Sequence, residues 1–340
     1  MSDPRTGVAI PQRTVPVPTS ISPAAQAALE SLVTGEGVPR NALFQSPAAD
    51  DPEGWRRLKA AADAHYAAAL AQRGDEPRST VTTMTVGTAT IHVAEPETPI
   101  SPEYVYIDLH GGALIFGGGE ACRVGARMRA DQHGVRCYAV DYRTPPDHPF
   151  PAALDDCIAA YRYVLDRYAP GNVVLAGRSA GGNLAVATLL RAKIEGLQMP
   201  AALVLLSPQV DLTESGDSFQ VNQLVDVVLP GSLMSGNLLY AGGADLADPM
   251  LSPLFGELRG LPPTLLQTGT RDLFLSSTVR MHRALRRAAV EAELHVFEAM
   301  PHGGFDGRTP EDRELEAEVS RFVSNRWGCG QRRGHPPAGR

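Results

Sequence analysis

The hydrophobic positions of this chain fall into two rhythms. From Tyr104 onward, short apolar runs alternate with longer stretches whose apolar residues recur at helical spacing. The short runs are Tyr104–Leu109, Val173–Ala176, Ala202–Leu206, Thr264–Thr268 and Glu293–Phe297, each of a length suited to a strand. Such alternation predicts an α/β fold, a parallel sheet with helices on both faces. Ahead of it, Val81–Val86 and Thr88–Ala94 alternate on either side of Gly87, which predicts an antiparallel hairpin. Gly54–Ala71 carries Trp55, Leu58, Ala62 and Leu70 at near-helical spacing. An earlier helix opens at Ser22-Pro23, with serine as N-cap and proline in the first helical position. Residues 1 to about 20 are rich in Pro and Thr and predict extended chain.

Between Asp211 and Pro253 the rhythm breaks. Ser218–Val225, Val227–Leu229 and Met234–Tyr240 are apolar and partly helical, with no strand among them. No internal repeat is visible.

Candidate chemistry sits at the ends of the predicted strands. Gly177-Arg178-Ser179-Ala180-Gly181 joins the run Val173–Ala176 to the helical stretch Gly182–Arg191. A G-x-S-x-G at a strand-to-helix junction is a nucleophile elbow, in which a tight turn lifts the serine oxygen clear of the sheet edge. A serine hydroxyl is a poor nucleophile at neutral pH and needs a base within hydrogen-bond reach. Downstream, Asp272 follows the run Thr264–Thr268, and His302 follows Glu293–Phe297 within Met300-Pro301-His302-Gly303-Gly304. The order Ser, Asp, His is that of an α/β-hydrolase triad. Of nine histidines, only His302 combines a post-strand loop with flanking glycines. Asp245, Asp248 and Asp306 compete less well with Asp272, and Asp211 reads as structural. Before all of these, Tyr104–Leu109 runs into His110-Gly111-Gly112-Ala113, a turn suited to an oxyanion hole. The expected donors are the amides of Gly111, Gly112 and Ala180, with the His110 ring packed beneath the loop to hold the glycines.

With these motifs in place, the chain resembles the hormone-sensitive-lipase-like branch of the α/β-hydrolases over roughly residues 80 to 325. The resemblance extends to Asp141-Tyr142-Arg143-Thr144-Pro145-Pro146-Asp147-His148-Pro149-Phe150-Pro151, to Ser207–Leu212 and to Asp248–Leu254. Two positions depart from that family's pattern: Ala113 replaces the third glycine of the loop, and Arg178 precedes the nucleophile where Asp is usual. The resemblance implies a mostly parallel, eight-stranded sheet flanked by helices, with a helical cap. It divides the chain into a cap-contributing segment (1–78), a first core part (79–212), a cap insertion (213–250), a second core part (251–326) and a disordered tail (327–340). It also implies a substrate pocket drawn from Phe219, Leu224, Val225, Leu229, Met234, Leu238 and Phe274, and it favours a homodimer. Asp141 and Arg143 are expected in a buried charged network beneath the site. The implied activity is hydrolysis of small hydrophobic carboxylic esters without a metal or organic cofactor. A narrower form is a lactonase acting on ε-lactones or resorcylic-type macrolactones. A non-catalytic ligand receptor on the same scaffold is disfavoured, since such proteins usually lose a triad member.

Composition adds limits. At 43% hydrophobic residues, the 340-residue chain has enough apolar material for a large buried sheet. The net charge of −7 argues against a nucleic-acid partner, which would call for a basic face. No apolar run reaches the ~18 residues of a membrane span, and the N-terminus lacks the basic and apolar regions of a secretory signal. Cys122, Cys137, Cys157 and Cys329 lack metal-type or disulfide-type spacing, which predicts free thiols in a reducing cytoplasm.

Overall fold

Eight strands form one sheet in the computed structural model: β1 (Thr80–Val86), β2 (Ala89–Glu95), β3 (Val105–Leu109), β4 (Arg136–Asp141), β5 (Val173–Arg178), β6 (Ala202–Leu206), β7 (Thr264–Gly269) and β8 (Ala292–Phe297). The structure describes residues 7, 8, 11–71 and 78–328. The spatial order is β1-β2-β4-β3-β5-β6-β7-β8. β1 and β2 form the antiparallel hairpin expected around Gly87, and β2 runs antiparallel to β4. From β4 to β8 every pairing is parallel, so the carboxyl ends of these strands share one edge of the sheet. β4 was not among the apolar runs picked out in the sequence. Arg136, Cys137, Tyr138 and Asp141 leave it only Ala139 and Val140 as plain aliphatic residues, too few to stand out.

Nine α-helices are described: α1 (Pro23–Ser31), α2 (Pro52–Ala71), α3 (Glu120–His133), α4 (Ala152–Leu165), α5 (Ala180–Ile194), α6 (Ser218–Val221), α7 (Met234–Ala241), α8 (Leu275–Arg287) and α9 (Pro310–Arg326). They cover the sheet on both faces, and the pleat decides which residue meets which layer. Val105, Ile107 and Leu109 join the core built with α4, α5 and α8, whereas Tyr106 points into the core built with α1, α3 and α9. Helix α5 lies deepest, with residues Ala180 to Leu190 buried all round. Ser22 caps α1 by accepting from the amide of Ala25, and Pro23 takes the first turn as expected.

The segment between β6 and β7 supplies α6 and α7, and α7 meets α2 above the turn that follows β3. A Cβ on Gly236 of α7 would lie 3.1 Å from Ile115 Cδ1 and 3.7 Å from the Trp55 ring. Trp55 is accordingly buried, although the pattern along α2 otherwise leaves that helix largely exposed. The side chain of Leu70, the last of the four apolar positions read in α2, lies outside the described residues.

The expected tail boundary at 327 needs correction. Trp327 is buried and stacks on Tyr104 with ring centroids 5.2 Å apart. Its indole donates to the Asn172 carbonyl at 3.1 Å, and its own carbonyl accepts from the Tyr104 hydroxyl at 2.6 Å. A large aromatic side chain with a partner for its N–H belongs to the core. Residues 329–340, Cys329 included, lie outside the described residues. Cys122, Cys137 and Cys157 are buried and unbridged. Among the described residues, no helix is long and apolar enough to cross a membrane.

The loop between β8 and α9 is pinned by one carboxylate. Asp312 accepts from the amides of Phe305 (3.1 Å), Gly307 (2.9 Å) and Thr309 (3.2 Å), and Thr309 Oγ1 in turn accepts from the Asp312 amide at 3.1 Å. This is a capping box extended backward along the loop. Replacing Asp312 by Ala strands several buried amides, so Asp312→Ala is expected to cost about 3 kcal/mol in urea unfolding. A loss below about 1 kcal/mol would show that the loop holds its shape without it.

Candidate active site

Ser179 is the sole residue between the end of β5 and the start of α5, with φ 55° and ψ −120°. That conformation is costly for a side chain bearing a Cβ, and it persists because the surrounding backbone leaves no alternative. A Cβ on Gly177 would lie 2.1 Å from the Gly181 carbonyl oxygen, and one on Gly181 would lie 1.9 Å from the Leu109 carbonyl oxygen. Both glycines are therefore set by close approach of backbone to backbone. The Ser179 amide is tied to the Leu206 carbonyl at 2.8 Å, which fixes the turn to the neighbouring strand.

Three loops from the shared sheet edge converge on this turn. Ser179 Oγ stands 2.9 Å from His302 Nε2, and His302 Nδ1 stands 3.1 Å from Asp272 Oδ1. Asp272 is fully buried, and it accepts further from the Thr268 hydroxyl at 2.8 Å and the Phe274 amide at 2.9 Å. Burial alone pushes its carboxyl pKa up, but the facing His302 and the hydrogen bonds outweigh that and hold it below the ordinary aspartate value. An ionised Asp272 selects the His302 tautomer that carries its proton on Nδ1, leaving Nε2 free to accept from Ser179. Phe274 meets the His302 ring edge-on at 4.8 Å. Asp245, Asp248 and Asp306 instead accept from the amides of Ala247, Met250 and Arg308 in their own turns. Asp211 is paired with Arg280 at 2.6 Å.

The turn after β3 faces Ser179 from the other side. A Cβ on Gly111 would fall 3.3 Å from Ser179 Cβ, so this residue abuts the serine. Gly112 has φ 130°, and Ala113 and Leu114 follow at 53° and 65°. Ala113 thus holds a left-handed conformation where glycine would be at ease, and the turn keeps its course. Among the described residues, the amides of Gly111, Gly112 and Ala180 donate to no protein acceptor. His110 stacks on Tyr142 at 4.1 Å and bonds the Gly111 carbonyl through Nδ1 at 2.8 Å. The Tyr142 hydroxyl closes the arrangement by donating to the His110 carbonyl at 2.8 Å. Burial pushes the His110 pKa down, so this ring stays neutral and serves as a brace.

Several expectations change. Asp141 and Arg143 do not share a network: Asp141 faces His92 at 3.3 Å, while Arg143 pairs with buried Asp156 at 2.9 Å. Both line an open polar cleft with Lys59, Asp63 and His148, away from the triad residues. Of the residues expected at the pocket, Phe274 is fully buried behind His302 with Phe219 against it, so it supports the imidazole and presents no free face. Leu224 and Leu238 are exposed, and Val225, Leu229 and Met234 are half-buried. Arg178, the departure before Ser179, donates from Nη1 to the Gly303 carbonyl, joining the turn at Ser179 to the His302 loop. Asn222 and Asp226 also touch the triad loops and were missed. Asn222 sits between Gln220 and Gln223 and stands out by nothing in the sequence, whereas Asp226 is a lone charge between Val225 and Val227. Among the described residues, no group of His, Cys, Asp or Glu is arranged to hold a metal ion.

Gly181→Ala sets a methyl against the Leu109 carbonyl and tests the crowding directly. It is expected to destabilise by about 3 kcal/mol or to abolish soluble expression. Wild-type stability in that variant would mean the elbow is looser than described.

Comparison with known proteins agrees with this fold. A family model described as "alpha/beta hydrolase fold" matches residues 106–306. An acetyl-hydrolase of Streptomyces hygroscopicus is 37% identical over 221 residues, covering 64% of this chain and 72% of the relative. An esterase of Acinetobacter venetianus is 31% identical, covering 64% of this chain and 73% of its own. Among solved structures, an esterase designated E25 superposes with a TM-score of 0.86 at 33% identity, covering 94% of this chain and 98% of that one. An esterase from the bacterial hormone-sensitive lipase family superposes with a TM-score of 0.78 at 30% identity, covering 91% and 99%.

Proposed function

The chain belongs to the α/β-hydrolase family, among the hormone-sensitive-lipase-like carboxylic-ester hydrolases, and we propose that Ser179, His302 and Asp272 carry out that hydrolysis. The observation that supports this reading is the unbroken hydrogen-bonded line from Ser179 Oγ through the His302 ring to buried Asp272.

In the first half-reaction, Ser179 Oγ attacks the ester carbonyl carbon while His302 Nε2 takes its proton. Asp272 stabilises the imidazolium that forms and holds its orientation. Negative charge develops on the former carbonyl oxygen, which the amides of Gly111, Gly112 and Ala180 receive. Each such donor is worth about 3 kcal/mol in the transition state. The tetrahedral intermediate collapses, His302 protonates the departing alkoxide, and an acyl group remains on Ser179. In the second half, His302 takes a proton from water as that water attacks the acyl carbon. Collapse then releases the carboxylic acid and returns the proton to Ser179.

The substrate class is a small carboxylic ester with a short apolar acyl group. The acetyl-hydrolase name of a relative favours short acyl groups. Half-buried Val225, Leu229 and Met234 are assigned to the acyl contact, with Leu229 packed on the Phe219–Leu273–Phe274 cluster that backs His302. Opening of a lactone is the same chemistry with the leaving alkoxide tethered to the acyl group.

The test is hydrolysis of p-nitrophenyl esters of increasing chain length beside a panel of lactones, with wild type and Ser179→Ala. The expected result is fastest turnover on short linear esters, and a loss of about 10⁴-fold or more in Ser179→Ala with unchanged circular dichroism. Strong turnover of one lactone class with sluggish linear esters would replace the general esterase reading by a lactonase. Near-wild-type hydrolysis by Ser179→Ala would remove the triad assignment altogether.

A further inference from the structure

Asp226 is a fully buried carboxylate in the segment between α6 and α7, far along the chain from the Asp272 and His302 loops that it also touches. Its Oδ2 accepts from the amide of Leu273, the residue after Asp272, at 2.7 Å. Its Oδ1 accepts from the Val228 amide at 3.0 Å and the Leu229 amide at 3.3 Å, with the His302 amide at 3.4 Å as a longer contact. One turn earlier, the Asn222 side chain donates to the backbone carbonyls of Asp272 at 2.8 Å and Thr270 at 3.1 Å. From the outer side, the Asn41 amide group donates to the carbonyls of Asp226 and Leu229. A single side chain thus touches its own turn and both loops that bear the acid and the base.

We propose that Asp226 is a positioning residue: its carboxylate fastens the cap segment to the Asp272 and His302 loops, so that the acid–base pair keeps its geometry only while the cap is seated. The inference rests on the triad reading above. A purely structural clamp would not need a charge here. The titratable groups facing Asp226 are Asp272 and His302, while the N-terminal turn contributes only neutral Asn41. Burial, and then the charge of Asp272, push the Asp226 carboxyl up to about 6. A carboxyl raised from 3.8 in this way favours the folded state most at low pH, and that contribution is lost as pH rises through about 6. At neutral pH the ionised group therefore weighs against the fold. What it supplies in return is two accepting oxygens aimed at separate loops, where a neutral amide offers one.

The experiment compares wild type, Asp226→Asn and Asp226→Ala on p-nitrophenyl butyrate, with active sites counted by a fluorophosphonate and Ser179→Ala as control. The expected result is a fall in kcat per titrated site of about 10- to 100-fold in both Asp226 variants, with KM changed by less than about threefold. The acid limb of the wild-type pH profile should be steeper than the single-proton limb left in Asp226→Asn. Between pH 3.8 and about 6, wild type should lose stability relative to Asp226→Asn. Lower unfolding midpoints with kcat per site unchanged would overturn the proposal, because that is what a merely structural clamp gives. So would a pH profile of the same shape in wild type and Asp226→Asn. Asp226→Asn is near-isosteric and decides the matter should Asp226→Ala fail to fold. Turnover by Ser179→Ala would instead overturn the triad reading, and is distinguishable from either outcome.

Discussion

The whole site depends on backbone crowding at one point of the sheet. Where β5 turns into α5, the carbonyl oxygens of Leu109 and Gly181 come so close that Gly181 and Gly177 have no room for a Cβ, 1.9 Å and 2.1 Å away respectively. That contact draws the end of β3 against the start of α5, and with it the Gly111 turn against Ser179. The left-handed backbone at Ser179 is the geometric consequence. A strained residue needs an over-determined surrounding, and this one has it. The Ser179 amide is bonded to β6, its carbonyl accepts from the Gln209 amide at 3.1 Å, and α5 is buried on every side from Ala180 to Leu190.

The remaining pieces are held to that point by separate tethers. Arg178 reaches from the elbow to the carbonyl of Gly303, Asp312 fixes the loop beyond it, and Thr268 and Phe274 fix Asp272. Asn222 and Asp226 bring the segment between β6 and β7 into the same network. Pre-set geometry of this kind is what lets a hydrogen-bonded serine act as a nucleophile without reorganisation at the moment of reaction.

Much of this was legible in the sequence because it is written locally. The elbow, the His-Gly-Gly turn and the loop positions of Asp272 and His302 are short motifs at strand ends, and topology then brings them together. What stayed hidden depends on contacts far along the chain. Nothing near Asp226 names Leu273 or His302 as partners, and nothing near Trp327 names Tyr104 or Asn172. The Asp141–Arg143 network was misjudged for the same reason, since each residue turns to a partner on a different element, His92 on β2 and Asp156 on α4. Phe274, expected in the pocket, is instead buried between the His302 ring and Phe219, contacts that lie 28 and 55 residues away along the chain.

The central claim is that the Ser179 oxygen is the activated nucleophile. The most direct measurement is to react the native protein with a fluorophosphonate and locate the adduct by peptide mass spectrometry. The account predicts one adduct per chain, on the peptide bearing Ser179, formed as esterase activity disappears and absent in His302→Ala on the same timescale. An adduct on another residue, or full activity in the presence of a stoichiometric adduct on Ser179, would contradict it.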